Sequence, residues 1–261
     1  MAARFTVREL AARKAGSKRI VCVTAYDAFS GSLAQEAGVD VVLVGDSLGN
    51  VVQGCPTTHG VTLADVCYHL RAVRRQVDGP MLVADLPFGT YQSSVAQAVD
   101  SAVELVRHGA EAVKLEGGFV EAVAAIARAG IPVWGHVGFT PQSVLAFGGF
   151  RVQGKGSGGE AVACQATALE EAGACAIVLE LIPSRLAAEV TERASVPTIG
   201  IGAGPACDGE IQVFHDILGL GEREMRHSRA FVPGRKLLLD ALREYVGDVR
   251  EGRFPTEENS T

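Results

Sequence analysis

Ionisable residues stand along this chain in a pattern that suits metal-assisted chemistry. Asp46 with Ser47, Asp85, Lys114 with Glu116, His136 and Glu180 each fall at the C-terminal end of a short apolar run. Asp46, Asp85 and Glu116 offer hard oxygen ligands with no cysteine among them, a set that suits Mg2+ better than zinc. Mg2+ keeps open positions, so two of the carboxylates can suffice for direct ligation. A 2-oxo acid can then fill two cis positions with its carboxylate and keto oxygens, and the cation acts as a Lewis acid that stabilises the enolate. Lys114 and His136 can hold the substrate carboxylate or the developing charge. Glu180, a separate carboxylate, can accept or donate a proton.

Each residue also has a plainer reading. An Asp after a strand is often a helix cap or a turn residue, which covers Asp46 and Asp85. His136 alone reads as a core or rim histidine. Lys114 and Glu116, two apart on one strand, point to the same side and can be a simple ion pair. Glu180 can be a solvated strand end. The functional reading rests on all of them recurring at the same end of successive runs.

The elements that must position these residues follow one rhythm. Apolar runs rich in Val and Ile occur at Ile20–Thr24, Val41–Val44, Met81–Ala84, Ala112–Leu115, Val133–Gly135, Ala176–Leu179, Thr198–Ile201 and Ile211–Phe214, the last being the weakest and in part helix-like. Helix-like stretches lie between or after them at Thr62–Arg75, Ser94–His108, Phe119–Ala129, Glu160–Ala172, Ser184–Ala194 and Lys236–Val249. Thr62 with Asp65 approaches a capping box. Strands apolar on both faces and separated by single helices imply a parallel sheet covered by helices. Roughly eight such units in about 250 residues fit a closed (β/α)8 TIM-type barrel, whose strand C-termini converge on one mouth. A doubly wound sheet would normally carry a Gly-rich phosphate turn after the first strand, where this chain has Thr24-Ala25-Tyr26-Asp27.

Two loops are long, Gly45–Val61 and the glycine-rich Thr140–Gly159, and the second can act as a mobile lid. Gly200-Ile201-Gly202-Ala203-Gly204 allows either close backbone approach to a ligand or a tight turn.

With 261 residues, 48% hydrophobic and 21% charged, the chain reads as one barrel domain, 1–261, with disorder expected only at Met1–Arg4 and in the short tail Thr256–Thr261. A net charge of -6 argues against non-specific nucleic-acid binding and against docking on an anionic membrane. The best apolar run, Val39–Val44, is too short to span a bilayer, and the N-terminus lacks a secretory pattern. The six cysteines are scattered without a CxxC pair, so reduced thiols and a cytoplasmic location are expected.

The motifs are more specific taken in order. TAYD at 24–27, VGDSLG at 44–49, ADLPF at 84–88, VKLEGG at 113–118, GHVGFTPQS at 135–143, GFRVQG at 149–154 and GIGAG at 200–204 together resemble the 3-methyl-2-oxobutanoate hydroxymethyltransferase (ketopantoate hydroxymethyltransferase) family over about Phe5 to Phe254. The resemblance implies a (β/α)8 barrel, Mg2+ dependence, a decameric homo-oligomer and the first committed step of pantothenate synthesis. That step transfers hydroxymethyl from 5,10-methylenetetrahydrofolate to 3-methyl-2-oxobutanoate, giving 2-dehydropantoate. It further implies Asp46 and Asp85 as direct metal ligands, Glu116 acting on the metal through water, Ser47 and Lys114 as substrate contacts with His136 close by, and Glu180 as catalytic acid/base. The chain departs from the family pattern at residues 57–62 and 219–232. The alternatives are a Mg2+-dependent carbon–carbon lyase acting on another 2-oxo acid and an inactive metal-binding barrel.

Overall fold

The computed structural model describes residues 4–14, 16, 18–221 and 225–261. Met1–Ala3 of the expected N-terminal tail lie outside the described residues, as do residues 222–224 of the divergent 219–232 segment. The described elements run α1 (Val7–Lys14), β1 (Ile20–Thr24), α2 (Ala28–Glu36), β2 (Val41–Val44), α3 (Leu48–Val51), α4 (Leu63–Arg74), β3 (Met81–Asp85), α5 (Val95–Arg107), β4 (Ala112–Lys114), α6 (Val120–Arg128), β5 (Val133–Gly138), α7 (Val144–Phe147), α8 (Gly158–Glu171), β6 (Ala176–Glu180), α9 (Ser184–Arg193), β7 (Thr198–Ile201), β8 (Gly209–Gln212), α10 (Phe214–Ile217) and α11 (Gly234–Arg250).

The strands close into a barrel in sequence order, β1 through β8, and β8 pairs in parallel with β1. Chain contacts divide the molecule into two compact units, residues 1–213 and 214–261, and all of the strands lie in the first.

Alternation along the strands explains both core and mouth. Side chains two apart share a face, and the inward set packs as one cluster: Ile20 and Cys22, Val41 and Leu43, Met81 and Val83, Ala112, Trp134, Ala176 and Val178, Ile199 and Ile201, and Ile211. Phe5 and Leu10 of the N-terminal segment join the same cluster. β2, β3 and β4 are buried at every residue, as strands covered on both faces must be.

Several expected elements shift. β5 runs on to Gly138, so His136 lies within a strand. β8 is Gly209–Gln212, and Phe214, expected to end it, starts α10. The helix between β1 and β2 has little amphipathic pattern; it forms because Asp27 caps it in a capping box with Ser30. Its Gly31 lies against α4, where an added Cβ would approach Val77 and Val73 to 3.2 and 3.3 Å. The capping box of Thr62 and Asp65 opens α4 as expected.

In the second unit, Phe231 N–H donates to Ile217 O and Arg235 N–H to Gly219 O, which fixes the start of α11 against the turn after α10. Along α11, Leu237, Leu238, Leu242 and Tyr245 are exposed within this chain. The tail ends in a 3-10 turn, Glu257–Asn259, whose residues are all exposed.

Candidate active site at the barrel mouth

The inward alternation that builds the core continues into the polar residues. Asp85 follows Val83 at two residues, Lys114 follows Ala112, Glu116 follows Lys114, His136 follows Trp134, and Glu180 follows Val178. Five of the sequence-predicted residues therefore enter the mouth because they occupy the next inward position of a strand, or lie just past its end. Asp46 arrives differently. It follows Gly45 in the turn after β2, and its N–H donates to Asp85 Oδ2 at 3.0 Å. Gly45 holds the inward position there; a Cβ on it would lie 3.0 Å from Ser47 Oγ and 3.2 Å from Asp85 Oδ2. A side chain at that residue would crowd Ser47 and Asp85, which would have to shift to admit it.

Lys114 sits among the acids, its Nζ 2.8 Å from Asp85 Oδ1 and 3.7 Å from Glu116 Oε1. His136 spans two carboxylates, with Nδ1 3.4 Å from Glu116 Oε1 and Nε2 3.3 Å from Glu180 Oε2. Ser47 is held by the Tyr26 hydroxyl at 2.8 Å. The Glu180 side chain is 14% exposed while those of Asp85 and Glu116 are at most 3%, so Glu180 is the acid with a route to solvent.

Burial and mutual repulsion set the proton inventory. Burial, followed by the charges of Glu116 and Asp85, pushes the Asp46 carboxyl well above its ordinary range. Burial raises Asp85 as well, although Lys114 works against it. Burial also opposes ionisation of Glu116, but His136 and Lys114 outweigh it and hold this carboxyl below its usual value. For His136, burial and Lys114 disfavour the cation, yet the pull of Glu116 and Glu180 lifts it to about 9. Lys114 is held charged by Asp85, Glu116 and Asp46 in spite of its burial.

Fully ionised, the four carboxyl groups would face two cations, a deficit of two positive charges that one divalent ion would correct and that protons otherwise meet in part. Asp85 Oδ1 is buried with Lys114 Nζ 2.8 Å away, an ion pair that takes at most one of its lone pairs and leaves another for such an ion. An all-oxygen donor set fits a small hard cation. The ligand atoms of Asp46, Asp85 and Glu116 do not all fall within 4.8 Å of one another; among the described residues that holds for Cys67, Glu104 and His108, outside the mouth. To share a cation, one of the three mouth acids would therefore have to act through water or rotate.

One residue to which sequence reasoning gave no role organises this cluster. Gln142 Nε2 donates to Asp46 Oδ2 at 2.8 Å and to Leu86 O at 3.0 Å, and the Gln142 N–H donates to Glu116 Oε2 at 2.9 Å. Its Oε1 accepts from the Tyr91 hydroxyl at 2.6 Å and from Gln92 Nε2 at 3.1 Å. The divergent 57–62 segment reaches the same residue, with His59 Nε2 2.8 Å from Gln142 O. A neutral amide in a 3-10 turn carries no charge pattern; the one available signal was its place inside GHVGFTPQS.

Around Glu180 the backbone is unusual. Leu181 has φ 46, a left-handed conformation that costs a branched residue energy and tends to occur near functional sites. Two hydrogen bonds hold it: Leu181 N–H to Ile201 O at 2.9 Å, and Gln153 N–H to Leu181 O at 3.0 Å. Opposite, Gly138 has φ 95, and a Cβ there would stand 2.3 Å from Glu180 O. The GIGAG segment also packs tightly; a Cβ on Gly204 would come within 2.5 Å of Ser184 Cβ, which accounts for that glycine by turn packing alone.

Compared with known families, residues 4–257 match ketopantoate hydroxymethyltransferase. The chain belongs to the ketopantoate hydroxymethyltransferase family. Among curated relatives, the 3-methyl-2-oxobutanoate hydroxymethyltransferase of Aeropyrum pernix is 49% identical, the match covering 98% of this chain and 94% of the relative. That of Neisseria gonorrhoeae is 46% identical, with 98% of each chain covered. Among solved structures, a phosphonopyruvate hydrolase complex with oxalate and Mg2+ aligns with a TM-score of 0.64 at 17% identity, covering 97% of this chain and 92% of that one. A 2,3-dimethylmalate lyase of the PEP mutase/isocitrate lyase superfamily aligns at 0.65 and 18%, covering 98% and 91%. At that identity the two structures share the barrel fold with this ketopantoate hydroxymethyltransferase family member. No helix among the described residues is long and apolar enough to cross a membrane.

Proposed function

We propose that this protein transfers a hydroxymethyl group from 5,10-methylenetetrahydrofolate to 3-methyl-2-oxobutanoate, giving 2-dehydropantoate on the route to pantothenate and coenzyme A. The observation that carries this reading is the charge deficit at the mouth, where Asp46, Asp85, Glu116 and Glu180 face only Lys114 and His136. Asp46 and Asp85 would hold Mg2+ directly, with Glu116 acting through water. When bound there, the cation supplies Lewis-acid stabilisation of the substrate enolate.

The remaining work falls to the chain's own side chains. Ser47, oriented by Tyr26, and Lys114 hold the substrate carboxylate. His136 keeps positive charge beside the developing oxyanion. Glu180 takes the C3 proton of the 2-oxo acid and, being the acid open to solvent, passes it on. The electron pair released at C3 forms the new carbon–carbon bond to the one-carbon unit, whose two carbon–nitrogen bonds to the folate break. Water supplies the hydroxyl oxygen, and the C3 proton and one proton of the water return to the folate nitrogens, so that tetrahydrofolate leaves.

A homo-oligomer, decameric by family resemblance, belongs to the same reading; the apolar residues exposed along α11 are what a subunit interface would cover. A cytoplasmic location also belongs to it, in keeping with six free cysteines.

The test is proton NMR in D2O with the purified protein, Mg2+, both substrates and a chelator control. Formation of 2-dehydropantoate, abolished by the chelator, is the expected result. Exchange of the C3 proton without that product would retain the enolate chemistry and reject the folate donor. Neither signal would reject the reading as a whole.

A further inference from the structure

Outside the mouth, on the helical layer, three side chains of different chemistry converge without any part in the reaction above. Cys67 lies on α4 and is 4% exposed. Glu104 lies in the last turn of α5, and His108 caps that helix four residues later. Helical spacing of four places Glu104 and His108 on one face, and one ligand atom from each of the three residues lies within 4.8 Å of the others. We propose that Cys67, Glu104 and His108 form a zinc-class transition-metal site that clamps α4 to α5.

The donor chemistry points to the metal. A thiolate, an imidazole and a carboxylate make a mixed sulfur, nitrogen and oxygen set, which suits Zn2+ and its neighbours and not the Mg2+ of an all-oxygen mouth. Three protein ligands leave the fourth tetrahedral position to water. Access is from the solvent side, since the Glu104 and His108 side chains are 42% and 23% exposed.

The imidazole is already oriented. His108 Nδ1 is 2.8 Å from the Glu104 carbonyl oxygen and 3.4 Å from Glu104 Oε1, so an Nδ1–H donated to the carbonyl leaves the Nε2 lone pair for a metal once the Glu104 carboxylate turns to that side of the ring. Metal-ligating histidines commonly have their other ring nitrogen fixed in this way. The frame is also set. Gly109, next to His108, has φ 111, and a Cβ on it would lie 2.8 Å from Arg74 Cγ at the end of α4, so the two helices meet closely at this point. A metal with bonds of about 2.0 to 2.3 Å holds its ligand atoms closer than 4.8 Å, so the partly exposed Glu104 and His108 side chains would have to draw in towards Cys67 as it binds. Burial and then the Glu104 carboxylate push the Cys67 thiol up, against the weaker pull of Arg71 one turn along α4, so the metal itself must displace the thiol proton. Binding releases the Cys67 thiol proton to solvent and forms a metal–sulfur bond with no redox change.

The experiment is a Co2+ titration of the full-length protein with Mg2+ in excess, read by absorption. The expected result is one cobalt per chain with a thiolate-to-metal charge-transfer band, abolished in Cys67→Ser and retained in Asp85→Asn, which alters only the mouth. His108→Gln, at a half-exposed residue that tolerates exchange, is expected to weaken cobalt binding at least about tenfold while leaving transferase turnover unchanged. Absence of the band at saturating cobalt, its survival in Cys67→Ser, or unchanged affinity in His108→Gln would overturn the site.

Discussion

At the N-terminal ends of the strands, Asp40, Glu111 and Asp208 each stand immediately before an even-numbered strand. Each accepts a backbone N–H from the start of the strand before it: Val21 at 3.0 Å, Leu82 at 2.9 Å and Thr198 at 2.8 Å. Each also meets a basic side chain, Arg13 at 3.0 Å, Arg74 at 3.6 Å with Arg4 beside it, and Lys14 at 3.0 Å. At the C-terminal ends, Asp46, Asp85, Glu116 and Glu180 crowd one another with fewer cations than acids. One residue type thus serves two purposes. Carboxylates that each have a hydrogen bond and a counterion of their own hold strands in register, while carboxylates that outnumber the cations they share keep a capacity for ligand and proton.

That contrast can be tested from its strongest consequence downward. Glu180→Gln is expected to lower turnover by about 10²- to 10⁴-fold with Mg2+ affinity unchanged by calorimetry; equal loss of both would reject a proton-transfer role. Asp85→Asn should weaken Mg2+ binding by about 100-fold, at the upper end of what changes around a metal site cause. Calorimetry giving the original affinity would remove Asp85 from the ligand set. At the opposite end, Asp208→Ala should leave the reaction untouched and destabilise the fold by about 2 kcal/mol, roughly 30-fold in the folding equilibrium. Its loss strands the Thr198 N–H and the Lys14 ammonium, and thermal unfolding reads the effect. Undiminished stability would show that the lower acids are dispensable.

The smallest effect concerns pH. Burial and its acidic neighbours raise the Asp46 carboxyl, so a proton must leave before a cation can bind. Mg2+ affinity should therefore rise with pH by up to about tenfold per unit while Asp46 is protonated, and level off above its raised pKa. A flat profile from weakly acidic to neutral pH would show that Asp46 binds no cation.

The sequence made the barrel legible because strands buried on both faces are short unbroken runs of Val and Ile. β1, β2 and β7 fall on their expected residues. The mouth was legible for a related reason: Asp85, Lys114, His136 and Glu180 interrupt or end apolar runs at the inward phase. What escaped depends on contacts distant in sequence. Gln142 bonds to residues on three other loops, and nothing in a polar, uncharged turn announces that. Asp40, Glu111 and Asp208 read as ordinary turn acids, since their partners are backbone groups ten or more residues away. α2 lacked an apolar stripe because Gly31 substitutes close packing for side-chain burial. β8 drifted because Phe214, an aromatic in an apolar run, is buried equally well from the helix that follows.

The stretch between Gln142 and Gln153 is tied down at both ends. Gln142 is bonded to two mouth acids, and Gln153 N–H to the backbone just beyond Glu180. Between these ties lie Leu145 and Phe150, both turned largely to solvent, and the left-handed Gly148 and Gly149. The intervening chain works like a strap buckled at each end. The bonds that space the acids beneath are made at the buckles and not by the residues between them.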